Sequence, residues 1–504
     1  MKIYDYLRGA KVQTKNQINT MTQEEMLQPK LVFDCFAEVN KVPRPSKKEE
    51  KMIEFLKNFG ENLGLETKVD EVGNVIIKKP ATPGHEHVPT VILQSHMDMV
   101  CEKVAGLDFN FETDPIETYI DGEWMRARGT TLGADDGIGV AMEMAILKSE
   151  DVEHGPLECV FTRDEETGLS GAAGMGNDFM SGRYLINLDS EDEGQIFISC
   201  AGGANTVAKF PWKSETIPSG YYTFSVQIKG LTGGHSGDDI KKRRANANKL
   251  LVRFLCDEMS KTDLRLVDIQ SGGLHNAIPR DGKAICAVPS SFRDQLSADA
   301  NLYLVAVQEE FSVTEKGIEV ILSTEDDATE CMQPDAAKRM LMSLRAVHNG
   351  VLEFDQDMDD LVQTSSNLAS IRKQGDVVNI VTSQRSNIMS ARKNMSAIIR
   401  AALELGGATC TTGEGYPGWK LDPNSRLLKV SRESYVRLFG KEPLILAIHA
   451  GLECGLLSEK YPQTDMVSFG PTLRGVHSPD ERLHLPTVKM VWDHLLDILK
   501  HIEN

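Results

Sequence analysis

The sequence lacks the features that would mark it as a membrane, secreted or nucleic-acid-binding protein. No apolar run reaches the ~18 residues that a membrane-spanning helix needs, and the N-terminal residues lack the apolar core of a secretory signal. There is no run of lysine or arginine, and the net charge of −19 disfavours a nucleic-acid partner. We therefore expect a cytoplasmic protein that binds neither membrane nor nucleic acid.

Paired cysteines are also missing. The chain has nine cysteines, none of them in a CxxC pair. An odd number of scattered cysteines in a long chain indicates reduced thiols rather than a disulfide framework. The length of 504 residues exceeds what one hydrophobic core normally serves, so two or more domains are expected.

The periodicity of apolar residues changes near residue 203. Before it, short apolar runs such as VILQS, LECVF and YLINL alternate with helical patterns, which predicts an α/β catalytic domain. Its central sheet is expected to be mainly parallel, with helices on both faces. After it, YTFSVQIKG alternates apolar and polar residues, which is typical of an antiparallel strand.

The domain limits follow from this change. Residues 204–411 are expected to form an inserted α+β lid domain, and residues 412–504 to rejoin the catalytic domain of residues 1–203. Residues 1–25 are polar and are interpreted as a loose extension, and Met21 stays open as an alternative start. Within the first domain the pattern predicts a helix over Lys30–Val39, and Ser46 with Glu49 predicts a capping box.

Acidic residues and histidines follow several of the predicted strands, and others open a helix or lie near the C-terminus. These candidates are His96 and Asp98 after VIL, Asp135 and Asp136 in GADDGIG, Glu165 and Glu166 in RDEETG, Asp189 after YLINL, and His477 in GVHSPDE. Each group alone has an ordinary explanation, such as a helix N-cap, a solvated acidic pair or a structural histidine.

Together the candidates predict a metal site. Ligands bind at the carboxyl ends of strands in α/β sheets, so these side chains should meet at one rim. Histidine and carboxylate ligands without cysteine suit Zn²⁺, Mn²⁺ or Co²⁺. This much negative charge calls for two ions that share a bridging carboxylate. Asp98 could then orient the His96 ring, and one of the two adjacent glutamates could bind metal while the other accepts a proton.

The ordered motifs SHMDMV, GADDGIG, DEETG, NLDSED and GVHSPDE resemble those of the di-zinc peptidase superfamily that includes carboxypeptidase G, aminoacylase and the carnosinases. The phrases GLTGGHSG, GGLHNAIPR and AIHAGLECG are most similar to the aminoacylhistidine dipeptidases, also called cytosol non-specific dipeptidases (PepD-like). The resemblance runs from about residue 30 to the C-terminus. One departure is Gly137, where many members of the superfamily carry lysine or another larger residue.

The resemblance implies a role for each motif residue in the catalytic domain. It implies two divalent ions, with Zn²⁺ preferred and Co²⁺ or Mn²⁺ left open. The implied ligands are His96, Glu166, Asp189, His477 and the bridging Asp135. Asp98 is implied to orient a ligand, and Glu165 to be the general base for attack by metal-bound hydroxide. His449 is a rival of His477 for the last ligand position.

The resemblance also implies a lid that completes the substrate site and forms a homodimer. His235 would polarise the substrate carbonyl, commonly from the partner subunit. Asn276 and Arg385 would hold the terminal carboxylate, and Gly451 would let backbone approach the substrate. The implied activity is hydrolysis of dipeptides, Xaa-His and β-alanyl-histidine included. N-acyl amino acid deacylation, tripeptide hydrolysis and a non-catalytic metal-stabilised binding protein stay open as alternatives.

Overall fold

The structure is a computed structural model that describes residues 26–356, 358, 361–420, 422 and 424–503. The interpretation of residues 1–25 as a loose extension and of Met21 as a start lies outside the described residues. Within the part of the chain that is described, no helix combines the length and apolar character needed to cross a bilayer.

The first segment alternates helices and strands. In chain order its elements are α1 (Lys30–Val39), α2 (Glu50–Asn62), β1 (Glu66–Val69), β2 (Val75–Lys79), β3 (Val91–His96), β4 (Thr118–Asp121), β5 (Trp124–Ala127), α3 (Ala134–Lys148), β6 (Leu157–Thr162), α4 (Glu165–Gly168), α5 (Ser170–Gly174), β7 (Tyr184–Asn187) and β8 (Gln195–Cys200).

The middle segment is richer in strands. Its elements are β9 (Gly202–Pro211), β10 (Ser214–Thr216), β11 (Tyr221–Lys229), β12 (Gly234–His235), α6 (Ala247–Met259), β13 (Arg265–Gly272), β14 (Ala277–Ile278), β15 (Gly282–Pro289), α7 (Arg293–Glu310), β16 (Glu319–Thr324), β17 (Glu330–Met332), α8 (Pro334–Ala346), β18 (Gly350–Phe354), β19 (Val362–Gln374), β20 (Val377–Ser386), α9 (Met389–Leu405) and β21 (Thr409–Thr412). Short 3₁₀ turns cover Ile240–Lys242 and Ser290–Phe292.

The last segment returns to alternating helices and strands. Its elements are α10 (Arg426–Phe439), β22 (Leu444–Ile448), α11 (Glu453–Lys460), β23 (Asp465–Ser468), β24 (Leu473–Arg474), β25 (Arg482–His484) and α12 (Leu485–His501).

The first and last segments build one eight-stranded sheet in the order β1-β2-β6-β3-β7-β23-β8-β22. Its centre is parallel, because β6, β3, β7 and β23 all run the same way. The β1-β2-β6 edge and the β23-β8 contact are antiparallel. The predicted α/β class is therefore confirmed, with a sheet that is parallel at its centre and mixed overall.

Helices cover both faces of this sheet. Val91 and Leu93 of β3 pack into a core with α1, α2, α3 and α12, whereas Ile92 packs on the opposite face against α5 and α11. Successive strand residues point to opposite faces, so a strand that is buried on both sides is apolar throughout. This explains why the VIL segment of β3 does not alternate between apolar and polar residues.

A second, antiparallel sheet is built from strands between Gly202 and Thr412, in the order β16-β11-β15-β13-β19-β20-β9-β21 with β18 beside β19. Phe224, Val226 and Ile228 of β11 enter one core with α6, α7, α8 and α9. We call this part of the molecule the lid. The limits of 204 and 411 proposed for it fall inside β9 and β21 and stay a prediction.

The chain enters and leaves the lid through two paired segments. Cys200 and Trp419 exchange backbone hydrogen bonds of 3.0 Å in both directions. Gly203 donates to the Tyr416 carbonyl at 3.1 Å, and Tyr416 donates back at 2.9 Å. The lid is thus joined to the catalytic sheet by a short two-stranded connection.

Candidate metal centre and active site

The ends of three neighbouring parallel strands bring acidic and imidazole side chains to one rim of the catalytic sheet. Strand β3 ends at His96, β6 runs into the turn that carries Glu165 and Glu166, and β7 is followed by Asp189. The start of α3 supplies Asp135, and the loop between β24 and β25 supplies His477.

Two groups of side chains share the Asp135 carboxylate. His96 Nε2 lies 3.1 Å from Asp135 Oδ1 and 3.5 Å from Asp189 Oδ1. His477 Nε2 lies 3.2 Å from Asp135 Oδ2 and 2.9 Å from Glu166 Oε2. The ligand atoms within each group all lie within 4.8 Å of one another. The two oxygens of Asp135 therefore face different imidazoles, as those of a bridging carboxylate do.

The charges of this cluster fit bound divalent cations. Burial, together with the nearby Asp135 carboxylate, raises the pKa of Asp189 to about 8. Burial and the neighbouring carboxylates also raise the pKa of Glu165 well above its ordinary value. Hydrogen bonds to Asp135 and Glu166 raise the pKa of His477 to about 11. Glu166 Oε1 is buried and has no hydrogen-bond partner among the described residues. Nitrogen and oxygen donors short of positive charge suit Zn²⁺, Mn²⁺ or Co²⁺.

Asp98 connects the His96 ring to the turn of the two glutamates. His96 Nδ1 lies 3.2 Å from the Asp98 carbonyl oxygen and 3.4 Å from its carboxylate Oδ1. The fully buried Asp98 carboxylate also accepts the amides of Glu165 and Glu166, at 3.0 and 3.3 Å. One side chain thus orients an imidazole and fixes the backbone of the adjacent acidic pair.

The capping box predicted at Ser46 and Glu49 is wrong. Helix α2 starts at Glu50 without a side-chain cap. The Ser46 hydroxyl instead donates to Asp98 Oδ2 at 2.7 Å, and the Glu49 carboxylate accepts the Asp164 amide at 3.1 Å and pairs with Arg163. Both side chains stabilise the site rather than the helix, and the local pattern gave no sign of these distant partners.

Sequence reasoning missed Glu481, which holds the turn before Asp135. Its buried carboxylate accepts four backbone amides, from Leu132 (2.7 Å), Gly133 (3.0 Å), Ala134 (2.8 Å) and Asp135 (3.3 Å). Glu481 lies in GVHSPDE, four residues after His477, so one motif supplies an imidazole to the centre and also fixes the carboxylate that the imidazole faces.

A buried arginine supports the same turn from the other side. Arg44 Nη2 donates to the Gly133 carbonyl at 2.6 Å. A Cβ at Gly137 would lie 2.7 Å from this nitrogen, so a larger residue at position 137 would displace the guanidinium. The departure at Gly137 therefore has a physical reason, which is the space that Arg44 takes.

The rim opens into a cavity of about 590 Å³, a size typical of small-molecule sites. Acidic residues and His477 line its floor, and Phe197, Ile448, Leu452 and Val476 form an apolar wall. The chain's own His235 lines it from the lid. Gly451 also lines the cavity. Because glycine has no side chain, it leaves room for the Tyr416 ring; a Cβ at position 451 would lie 2.7 Å from Tyr416 Cε2.

The other lid candidates are placed differently. Arg385 is only 6% exposed, and its Nη2 lies 3.5 Å from His235 Nε2. Asn276 is exposed and does not line the cavity, and its backbone carbonyl accepts a hydrogen bond from the Ser236 amide at 2.8 Å. His449 Nε2 lies 2.8 Å from the Ser365 hydroxyl, and His449 belongs to no metal-capable group among the described residues.

Comparison with known proteins identifies the family of this chain. The family model described as peptidase family M20/M25/M40 matches residues 92–501. The chain belongs to this family. It is 41% identical over 482 residues to the cytosol non-specific dipeptidase of Escherichia coli K12, a match that covers 96% of this chain and 99% of that protein. The subfamily resemblance drawn from the motifs is confirmed.

Solved structures of the M20 fold agree with the architecture. The aminoacylhistidine dipeptidase of Vibrio alginolyticus superposes with a TM-score of 0.88 at 40% identity, covering 95% of this chain and 98% of that one. The aminopeptidase PepT of Bacillus cereus superposes with a TM-score of 0.56 at 17% identity, covering 95% and 100%. The second match concerns the fold alone.

Proposed function

We propose that this M20 peptidase is a cytoplasmic di-metal dipeptidase that cleaves Xaa-His dipeptides, β-alanyl-histidine among them, with broad tolerance. The observation that carries the proposal is the Asp135 carboxylate shared by two imidazole–carboxylate groups, with Glu165 beside them in the same cavity. The names of the Escherichia coli and Vibrio alginolyticus relatives support the dipeptide substrate, the histidine preference and the cytosolic location.

His96, Asp135 and Asp189 would hold one ion, and Asp135, Glu166 and His477 the other. Zn²⁺ is the proposed native metal, and Co²⁺ or Mn²⁺ could replace it. Bound there, the ions would lower the pKa of a water and polarise the substrate carbonyl. Asp98 would keep the His96 ring in its tautomer and orientation through Nδ1.

Glu165 is the proposed general base. Its side chain belongs to the His96–Glu165–Glu166 group, yet it is not needed to complete either ligand set. It would take a proton from the attacking water and return it to the leaving amine. His235 would donate to the oxygen on which negative charge develops. Arg385, with Asn276 after a lid movement, would bind the terminal carboxylate.

The deciding experiment measures bound metal and hydrolysis on one preparation. Ala-His, β-Ala-His, a dipeptide without histidine, a tripeptide and an N-acetyl amino acid are assayed before and after chelation. We expect two ions per chain, cleavage of dipeptides only, loss of activity with chelator and recovery with Zn²⁺, Co²⁺ or Mn²⁺. Cleavage of the N-acetyl amino acid or the tripeptide in preference to dipeptides would replace the proposal with a deacylase or tripeptidase, and metal without hydrolysis would indicate a binding protein.

We also propose that the chain forms a homodimer through the lid. Helix α7 exposes Leu302 (68%) and Val305 (63%), which are three residues apart and therefore on one helical face. Exposed apolar side chains grouped in this way are typical of protein interfaces. Light scattering should give twice the chain mass, and Val305→Asp should reduce it to the monomer value. A monomeric wild type would refute the dimer.

A further inference from the structure

Arg385 is a buried cation without an anionic partner. Its side chain is 6% exposed, and no carboxylate in the described part of the chain pairs with it. No described residue accepts a hydrogen bond from its Nε. A buried charge that is left unpaired is costly, so such a residue is normally matched by a ligand or a counter-ion.

A second buried arginine nearby shows what a purely structural arginine looks like here. Arg392 is 5% exposed and donates to three backbone carbonyls, those of Gly203 and Glu414 at 2.9 Å and that of Tyr416. Its donors are met by the connection between the lid and the catalytic sheet. In the described part of the chain, Arg385 donates to no backbone carbonyl, which separates the two residues in function.

Among the described residues, the guanidinium of Arg385 has one short contact, which is with a tyrosine. Nη1 donates to the Tyr416 hydroxyl at 2.9 Å. Because arginine only donates hydrogen bonds, the tyrosine oxygen must accept, and this contact fixes the rotation of the guanidinium. The donors that lack a close acceptor, on Nε and Nη2, lie on the edge that binds a carboxylate with two parallel hydrogen bonds. That edge lies beside His235, a residue of the cavity.

Tyr416 is itself held firmly. Its backbone forms both hydrogen bonds to Gly203. A Cβ at Gly203 would lie 2.6 Å from the tyrosine hydroxyl oxygen, and one at Gly451 would lie 3.1 Å from it. The two glycines therefore leave a slot that the ring fills. Gly451 lines the cavity, so the slot opens against the substrate site.

We propose that Tyr416 is a positioning residue that aims Arg385 at the carboxyl end of the substrate and thereby selects peptides with a free terminal carboxylate. The inference rests on the proposed function and extends it. It adds a residue outside the proposed substrate-binding set that determines selectivity for the free carboxylate. Tyr416 acts through Arg385 and takes no part in the proton transfers of the reaction.

The test compares Tyr416→Phe with wild type on a dipeptide and on the same dipeptide as its C-terminal amide. Removing the hydroxyl should lower kcat/KM about tenfold for the free acid, mainly through KM, and leave the amide unchanged. The amide is followed by its rate or by its inhibition constant as a competitor. Tyr303→Phe is the matched control, because the Tyr303 hydroxyl donates to the Leu250 carbonyl in the lid core.

A double-mutant cycle separates positioning from packing. In an Arg385→Gln background, Tyr416→Phe should have no further effect on the acid-to-amide ratio, because the residue that it positions is gone. Equal losses for acid and amide, or an unchanged ratio in the single variant, would overturn the role of Tyr416 and leave the dipeptidase proposal intact. Failure of the wild type to cleave any dipeptide would overturn both.

Discussion

The two ends of the cavity are held in different ways. At the catalytic end, two supporting carboxylates are each fixed by several backbone amides, four at Glu481 and two at Asp98. At the lid end, Arg385 is fixed by one short hydrogen bond, to Tyr416, and Asn276 is exposed. The catalytic end is thus rigid before substrate arrives, whereas the lid end needs the substrate to complete its contacts.

This difference matches the division of labour that the reaction requires. Groups that bind metal and move protons must be placed within a fraction of an ångström, and dense hydrogen bonding secures that. Groups that recognise the end of a substrate can be completed by closure around it. Variants at the catalytic end should therefore change rate or metal affinity, and variants at the lid end should change KM.

The largest effect is expected for Glu165→Gln. The amide cannot accept a proton, so kcat should fall roughly 10²–10⁴-fold while metal content and melting temperature stay close to wild type. Metal analysis and steady-state kinetics on one preparation measure this. Glu433→Gln, on the exposed face of α10, is the control. Near-normal turnover of the Glu165 variant would exclude it as the base.

Glu481→Gln should act through the metal rather than through the reaction. Losing the negative charge weakens the hydrogen bonds to the four amides from Leu132 to Asp135, and metal affinity should fall about 10–100-fold. Competition with a chelator measures this, and excess metal should restore most of the activity. A rate loss that excess metal does not restore would mean that Glu481 acts in another way.

Arg385→Lys and Arg392→Lys should separate recognition from architecture at the lid end. A lysine cannot form the two-pronged contact with a carboxylate, so Arg385→Lys should raise KM about tenfold with little change in stability. Arg392→Lys loses carbonyl contacts in the connection and should destabilise the protein by about 1–3 kcal/mol. Denaturant titration and kinetics on both variants measure these effects, and the reverse pattern would contradict the assignment.

The smallest effect concerns the sheet that supports the catalytic end. Burial favours a neutral Glu158, but hydrogen bonds from Lys78 and Ser181 outweigh it and lower the pKa of this carboxyl below its ordinary value. The ionised form is thus favoured by folding. Its contribution to stability should be present above about pH 4.3 and be lost as pH falls through the lowered pKa.

Urea unfolding of wild type and Glu158→Gln at several pH values tests this. The variant should be less stable by about 1 kcal/mol at pH 7, and the difference should shrink in the acid range. Glu325→Gln on the lid, whose partner Lys283 is 44% exposed, should show a smaller difference throughout. A difference that does not depend on pH would show that packing, not charge, stabilises Glu158.

Sequence patterns predicted what is local. Helix α1 has the predicted bounds of Lys30 and Val39, and the strand ends after VIL, LECVF and YLINL meet at one rim because the parallel centre of the sheet demands it. Supports formed across the chain could not be predicted. Glu481 accepts hydrogen bonds from amides that lie 346–349 residues earlier in the chain. Ser46 donates to the Asp98 carboxylate instead of capping a helix.

The Arg385–Tyr416 contact could not be predicted either, although the family resemblance implies a substrate-binding role for Arg385. Tyr416 lies in GEGYPGW, a Pro- and Gly-rich stretch that indicates only the return to the first domain. Its partner lies 31 residues earlier, on β20. Only the slot between Gly203 and Gly451 brings the ring to the cavity. Such a contact depends on three separate segments that meet at the connection to the lid.

That connection has a consequence for engineering. The segment that enters the lid, Cys200–Gly203, and the segment that leaves it, Tyr416–Trp419, run side by side. The lid is therefore inserted into the catalytic domain at one place. We expect that the lid can be exchanged as a unit. A lid from another family member could replace residues between these two segments without changing the strand order of the catalytic sheet. Such a chimera should have the substrate preference of the new lid and keep the metal site of the catalytic domain.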